Sequence, residues 1–219
     1  MFKIYCNLKD ECKETNSQNY QGANLAIFGF NGIPNINYKS ELSGKTNVLH
    51  DFASISRSSQ KVLISGAITD NYGIIRKSCA VADKGKLLGI SDMCLNFNKS
   101  EYSLGCGYKV YYTSAGKIGV IVGSDLIDGD GIKAMALCEA DVIVNVSDFC
   151  SKEQDHFLLR AYSYLYGVPI ISVTANCVMA SNINGEICSK SPLKDLEISM
   201  PIRKVYRLVT NKRRGVKPQ

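Results

Sequence analysis

The stretch Gly116–Asn145, GKIGVIVGSDLIDGDGIKAMALCEADVIVN, decides how the rest of the chain is read. Ile118 to Val122 is a short β-branched run bounded by glycines, as expected of a strand covered on both faces. Asp128, Gly129, Asp130 and Gly131 break that run and can cap a helix. Ile132 to Leu137 then places apolar residues at helical spacing, and Val142, Ile143 and Val144 begin a second buried strand. A strand–turn–helix–strand unit of this kind lifts the residues just past its first strand out at the sheet's carboxyl edge, where α/β proteins usually place their chemistry. Those residues are Gly123, Ser124 and Asp125, and at the end of the second strand Asn145 reaches the same edge.

Working outward, Phe2 to Leu8 and Asn24 to Phe30 read as strands, separated by a polar segment, Lys9 to Gln21, with little to bury. Val48, Leu49, Phe52 and Ile55 set a short helix within 47–59. Strands follow at Lys61 to Ile68 and Gly73 to Asp83, and Lys84-Gly85 turns the second into Lys86 to Ile90 as a hairpin. Tyr108 to Thr113 is expected to pair with Lys117 to Val122. Asp155 to Tyr166 is read as a helix with Phe157, Leu158, Ala161, Tyr164 and Leu165 on one side. Pro169 to Ala175 and Leu196 to Met200 complete the strands. Many strands and few helices suit two sheets packed together with helices outside, better than one doubly wound sheet.

The 219 residues, 45% of them hydrophobic, fit one globular domain with a sizeable core. No apolar run reaches the length of a membrane span, and the N-terminus lacks a signal-peptide pattern, so a cytoplasmic protein is expected. The 9 cysteines are scattered without a CxxC pair and read as reduced thiols. With only His50 and His156 available, no metal site is expected, and no cofactor motif is present. The net charge of +6 is concentrated at the C-terminal end, in Lys204, Arg207, Lys212, Arg213, Arg214 and Lys217. Such a tail, about 203–219, can hold phosphates. No aromatic residues interleave with it as a nucleic-acid stacking surface would need, so neither a nucleic acid nor a membrane is the expected partner.

Four patches resemble the nitrilase superfamily of carbon–nitrogen hydrolases. They are Asp83 to Gly89 (DKGKLLG), Gly116 to Ile121 (GKIGVI), Ala136 to Ile143 (ALCEADVI), and Leu159-Arg160-Ala161 followed by Ala175-Asn176. The resemblance implies a four-layer αββα sandwich, dimerised through helices, and a Glu-Lys-Cys constellation in which a thiolate attacks an amide or nitrile carbon. Carried across residue by residue, that constellation is missing. The cysteine position of "iCyD" falls on Gly123 within Val122-Gly123-Ser124-Asp125. The glutamate position of "fPE" falls on Phe30, and the lysine position on Met93, or on Asp92 if the alignment slips by one. A second family glutamate corresponds to Glu101, which can equally be a loop residue holding a backbone donor.

Three readings follow from these residues. The first is a nitrilase-fold protein without the family's hydrolysis, working through assembly as a homodimer or through binding a small molecule. The second is a diverged amidase with a displaced nucleophile: Ser124 with His50 or His156, or Cys94 or Cys106 activated by a cation such as Lys99 or Lys109. The third is a module that binds phosphate-bearing partners through the basic tail. Asp92, Cys94, Cys106, Ser124, Asp125 and Asn145 are the pocket candidates in the first two readings, with Asp125 also suited to accepting backbone hydrogen bonds at a strained corner.

Overall fold

A computed structural model of the chain describes residues 2–8, 10–15, 20–96, 101–149, 152–192 and 195–201. The basic tail, Lys99 and most of the last strand-to-tail junction lie outside the described residues.

Among the described residues two sheets form, and each has the same internal plan. In the first, β1 (Phe2–Asn7), β2 (Leu25–Phe28) and β4 (Val62–Asn71) run parallel as neighbours. Antiparallel strands flank that trio: β13 (Asp195–Met200) beside β1, and β5 (Ile74–Asp83) then β6 (Lys86–Asp92) beyond β4. The short β3 (Ile36–Asn37) pairs with the far end of β4. In the second sheet the parallel trio is β8 (Gly116–Val122), β9 (Val142–Val146) and β10 (Ile170–Val173). β7 (Lys109–Thr113) flanks β8, and the hairpin β11 (Val178–Ser181) and β12 (Ile187–Ser191) flanks β10.

The period-2 alternation of the strands sorts their side chains into three cores. Ile4, Ile27, Val62, Ile64, Ile118, Val120, Val122, Val142, Val144 and Val146 meet between the sheets. The alternate residues Leu63 and Ala67 of β4 face out, under α1 (Tyr38–Leu42) and α2 (Val48–Ser59), where Phe52 is buried. On the other side Ile121, Ile143 and Ile170 pack beneath α3 (Gly129–Leu137) and α4 (Lys152–Tyr166). The layers are therefore helix, sheet, sheet, helix. Strands with both faces covered need apolar residues at nearly every position, which is why β4, β8 and β9 are continuous Val/Ile runs.

Local chemistry explains the boundaries. Lys84 and Gly85 both take positive φ, 47° and 92°, so the β5–β6 connection is the primed turn that matches strand twist. Asp128 caps α3: its Oδ1 accepts from Asp130 N at 3.0 Å, and its Oδ2 accepts from the Tyr108 hydroxyl at 2.6 Å. Gly119 lets α3 lie close on the sheet, since a Cβ there would stand 2.8 Å from Met135 Sδ.

Three differences from the sequence reading stand out. The β11–β12 hairpin and α1 were not anticipated. The polar 9–21 segment is turns where it is described, not a helix. In α4 the residues turned fully into the core are Leu159 and Ser163, with Leu158, Tyr162 and Tyr166 at the margin, whereas Phe157, Tyr164 and Leu165 are exposed. Ser163 can be buried there because its hydroxyl donates to Leu159 O, as a helix serine can, and meets Ser181 Oγ at 2.6 Å.

Candidate functional site

Beyond the ends of β8 and β9 the chain leaves the sheet, and a cleft of about 270 Å³ opens there. Gly123, Ser124, Leu126 and Ile127 of the 3-10 turn Gly123–Ile127 form one side, and Gln154, Asp155 and Leu158 of α4 the other. Asn145, Ser147, Asp148 and Phe149 come from the exit of β9, and Met93 and Lys77 arrive from the first sheet.

Gly123 sits at the corner with φ +60°, a left-handed conformation that favours glycine. The space where its side chain would begin is taken: Met93 Sδ lies 2.9 Å from an ideal Cβ at that position. Met93 itself is 2% exposed, part of the core between the sheets, and its register is fixed by Met93 N donating to Lys77 O at 2.8 Å. It is Met93, rather than Asp92, that faces the cleft. Asp92 accepts from Ser78 Oγ at 2.7 Å and pairs with Arg76 Nε at 3.9 Å. Phe30 packs against the inter-sheet core beside Gly66, where a Cβ would come within 2.9 Å of its ring, and is not among the cleft residues.

Asp125 is 1% exposed and stitches the corner to the segment after β6. Its Oδ1 accepts from Cys94 N and Leu95 N, both at 2.8 Å, and its Oδ2 from Val122 N at 3.2 Å. Burial pushes its carboxyl up to about 6, against the three N–H donors that favour the ionised form. Ser124 adds a fourth stitch, its hydroxyl donating to Leu95 O at 2.6 Å, with Met93 Sδ at 3.6 Å. Its proton is thus committed to a backbone carbonyl.

The remaining candidates are dispersed. Cys94 is half-buried, its thiol donating to Asp92 O at 3.4 Å; burial, with Asp125 nearby, pushes it up to about 11, so its thiolate is scarce at neutral pH. Cys106 and Glu101 are exposed and outside the cleft lining. Lys109 donates to Ile90 O. His50 is exposed on α2, His156 lies against Phe157, and neither lines the cleft.

What the sequence did not mark is the wall opposite Gly123. Lys77 reaches across from β5 to Asp148, Nζ to Oδ2 at 2.7 Å, and its ammonium also lies 4.9 Å from the centroid of the Tyr102 ring. This pair ties the two sheets together at the cleft. Asn145 is 1% exposed; its Nδ2 donates to Ser172 Oγ at 3.0 Å, while among the described residues its Oδ1 has no partner. Only long-range register brings Lys77 to Asp148, so no local motif could announce it. Among the described residues no helix is long and apolar enough to cross a membrane, and no group of three or more His, Cys, Asp or Glu gathers as a metal site would.

No family model matches the chain, and no curated protein matches it by sequence. Solved structures do match. A carbon–nitrogen hydrolase from Helicobacter pylori G27 aligns at 16% identity and a TM-score of 0.72, covering 90% of this chain and 89% of that one. An amidase from Nesterenkonia sp. AN1 aligns at 12% identity and a TM-score of 0.76, covering 97% of each. A variant of that amidase, with the acetamide moiety of fluoroacetamide added covalently at its active-site cysteine, aligns at 12% identity and a TM-score of 0.76, covering 97% and 94%. At these identities the likeness is one of fold, and the chain carries the αββα architecture of the nitrilase-superfamily carbon–nitrogen hydrolases over nearly its whole length.

Proposed function

We propose that this protein keeps the carbon–nitrogen hydrolase fold without the cysteine-dependent hydrolysis of amides or nitriles, and works by binding a small molecule or by assembly. The observation that carries this reading is Gly123. It stands at the corner after β8 where the sequence resemblance places the nucleophile, it has no side chain, and Met93 fills the space one would need. The hydroxyl next to it is held by Leu95 O, and the nearest thiol, Cys94, is protonated at neutral pH. Both features weigh against a displaced nucleophile. Exchanging two buried charged helpers for Phe30 and Met93 also removes their desolvation cost, so such a site can lose chemistry without losing the fold.

The assembly part of the proposal rests on α4. Its outer side leaves Phe157 67%, Tyr164 53% and Leu165 52% exposed, an apolar face suited to a second copy of the chain. Ammonium release from a panel of aliphatic and aromatic amides and nitriles tests the reading. No turnover above buffer is expected; hydrolysis that an alkylating agent abolishes would overturn it.

A further inference from the structure

A buried polar atom without a partner calls for an occupant, and Asn145 Oδ1 is such an atom in the cleft lining. Along β9, Val142, Val144 and Val146 face the inter-sheet core, so Asn145 and Ser147 share the opposite face, two residues and about 6.7 Å apart. Ser147 is 5% exposed, and its Oγ accepts from Phe149 N at 3.1 Å. That bond uses a lone pair and leaves the hydroxyl hydrogen to donate. One end of this short row therefore accepts and the other can donate.

The rest of the cleft selects against charge. Its ammonium and the carboxylate of Asp148 are already paired to each other, and Asp155 has an interaction of its own. An ionic ligand would be desolvated there with no spare counter-ion, whereas a neutral polar group loses little if both its atoms find partners. Met93, Leu126 and Leu158 offer apolar surface for the remainder of the molecule.

We propose that the cleft holds, unbroken, a small uncharged molecule carrying an amide-type donor–acceptor pair, its N–H donating to Asn145 Oδ1 and its carbonyl accepting from Ser147 Oγ. This rests on the reading that the cleft has no working nucleophile, and it adds the class of ligand. Benzamide is a suitable probe, with benzoate and benzylamine as its anionic and cationic counterparts. Titration calorimetry on the full chain is expected to show saturable binding of benzamide alone. Asn145→Leu and Ser147→Ala are each expected to weaken it about tenfold, the worth of one hydrogen bond to a neutral partner. Ser147→Ala removes only a hydroxyl, so it decides the matter if Asn145→Leu fails to fold. No saturable benzamide binding, equal binding of benzoate or benzylamine, or unchanged affinity in Ser147→Ala would overturn the proposal. Ammonium measured in the same samples separates the two claims: release of ammonium with binding intact would sink the non-hydrolytic reading and leave the recognition of the amide group standing.

Discussion

Met93 Sδ stands 2.9 Å from the point where a Cβ on Gly123 would lie, so the two residues fill one space between them. The corner is glycine for two separable reasons: a φ of +60° and a sulfur in the way. Gly123→Ala is expected to cost about 1–3 kcal/mol from strain and overpacking together. In a Met93→Ala background the steric part disappears and the penalty for Gly123→Ala falls to the backbone part, about 1–2 kcal/mol. Urea unfolding of the four proteins in this cycle checks it. Additive costs would show that Met93 does not occupy the corner.

Asp125 gives the fold a pH dependence of defined sign. Its carboxyl rises from an ordinary 3.8 to about 6 on folding, because burial outweighs its backbone donors. The folded state thus favours the protonated form. That contribution is fully present below about 3.8 and is lost as the pH climbs to about 6, amounting to ~3 kcal/mol. Asp125→Asn removes the titration while keeping an acceptor for Cys94 N and Leu95 N. The stability of the wild type relative to this variant is expected to fall between pH 4 and pH 6.5, as read by denaturant midpoints; a difference that stays flat or rises across that interval would contradict the assignment.

Cys94 is expected to be a sluggish thiol. A shift from 9.0 to about 11 lowers its thiolate fraction about a hundredfold at neutral pH. In an iodoacetamide time course at pH 7.5 followed by peptide mass spectrometry, the exposed Cys138 should alkylate well before Cys94. Preferential labelling of Cys94 would revive it as a displaced nucleophile.

If the exposed side of α4 joins two copies, sedimentation of the wild type should give twice the 24.0 kDa chain mass. Phe157→Glu and Leu165→Glu place charges on that side without touching the buried Leu159 or Ser163, and each is expected to yield a folded monomer. A wild type that sediments as a monomer would remove this face as the contact.

Much of the architecture could be read from residue order because buried parallel strands impose strict local demands. The Val/Ile runs of β4, β8 and β9, the Lys84-Gly85 turn and the Asp128 cap are each written in a few adjacent residues. The β11–β12 hairpin escaped notice because Ser181, Asn182 and Ser189 dilute its apolar pattern. The side chains on α4 were grouped by hydrophobicity, but the helix buries Ser163, whose hydroxyl is satisfied within the helix, and leaves Phe157 outside. At the cleft, the sequence pointed to Gly123, Ser124, Asp125, Met93 and Asn145, which follow from strand ends. It gave no sign of Lys77 with Asp148 or of Ser147, because those depend on two sheets meeting. Phe30, at the resemblance's glutamate position, packs beside Gly66 instead of lining the cleft.

The most direct test of an attacking group at the corner is intact-protein mass spectrometry of samples quenched in acid during incubation with fluoroacetamide. The account predicts the unmodified chain at every time point, with no acid-stable adduct. A stoichiometric adduct mapping to Ser124 or Cys94 would contradict it.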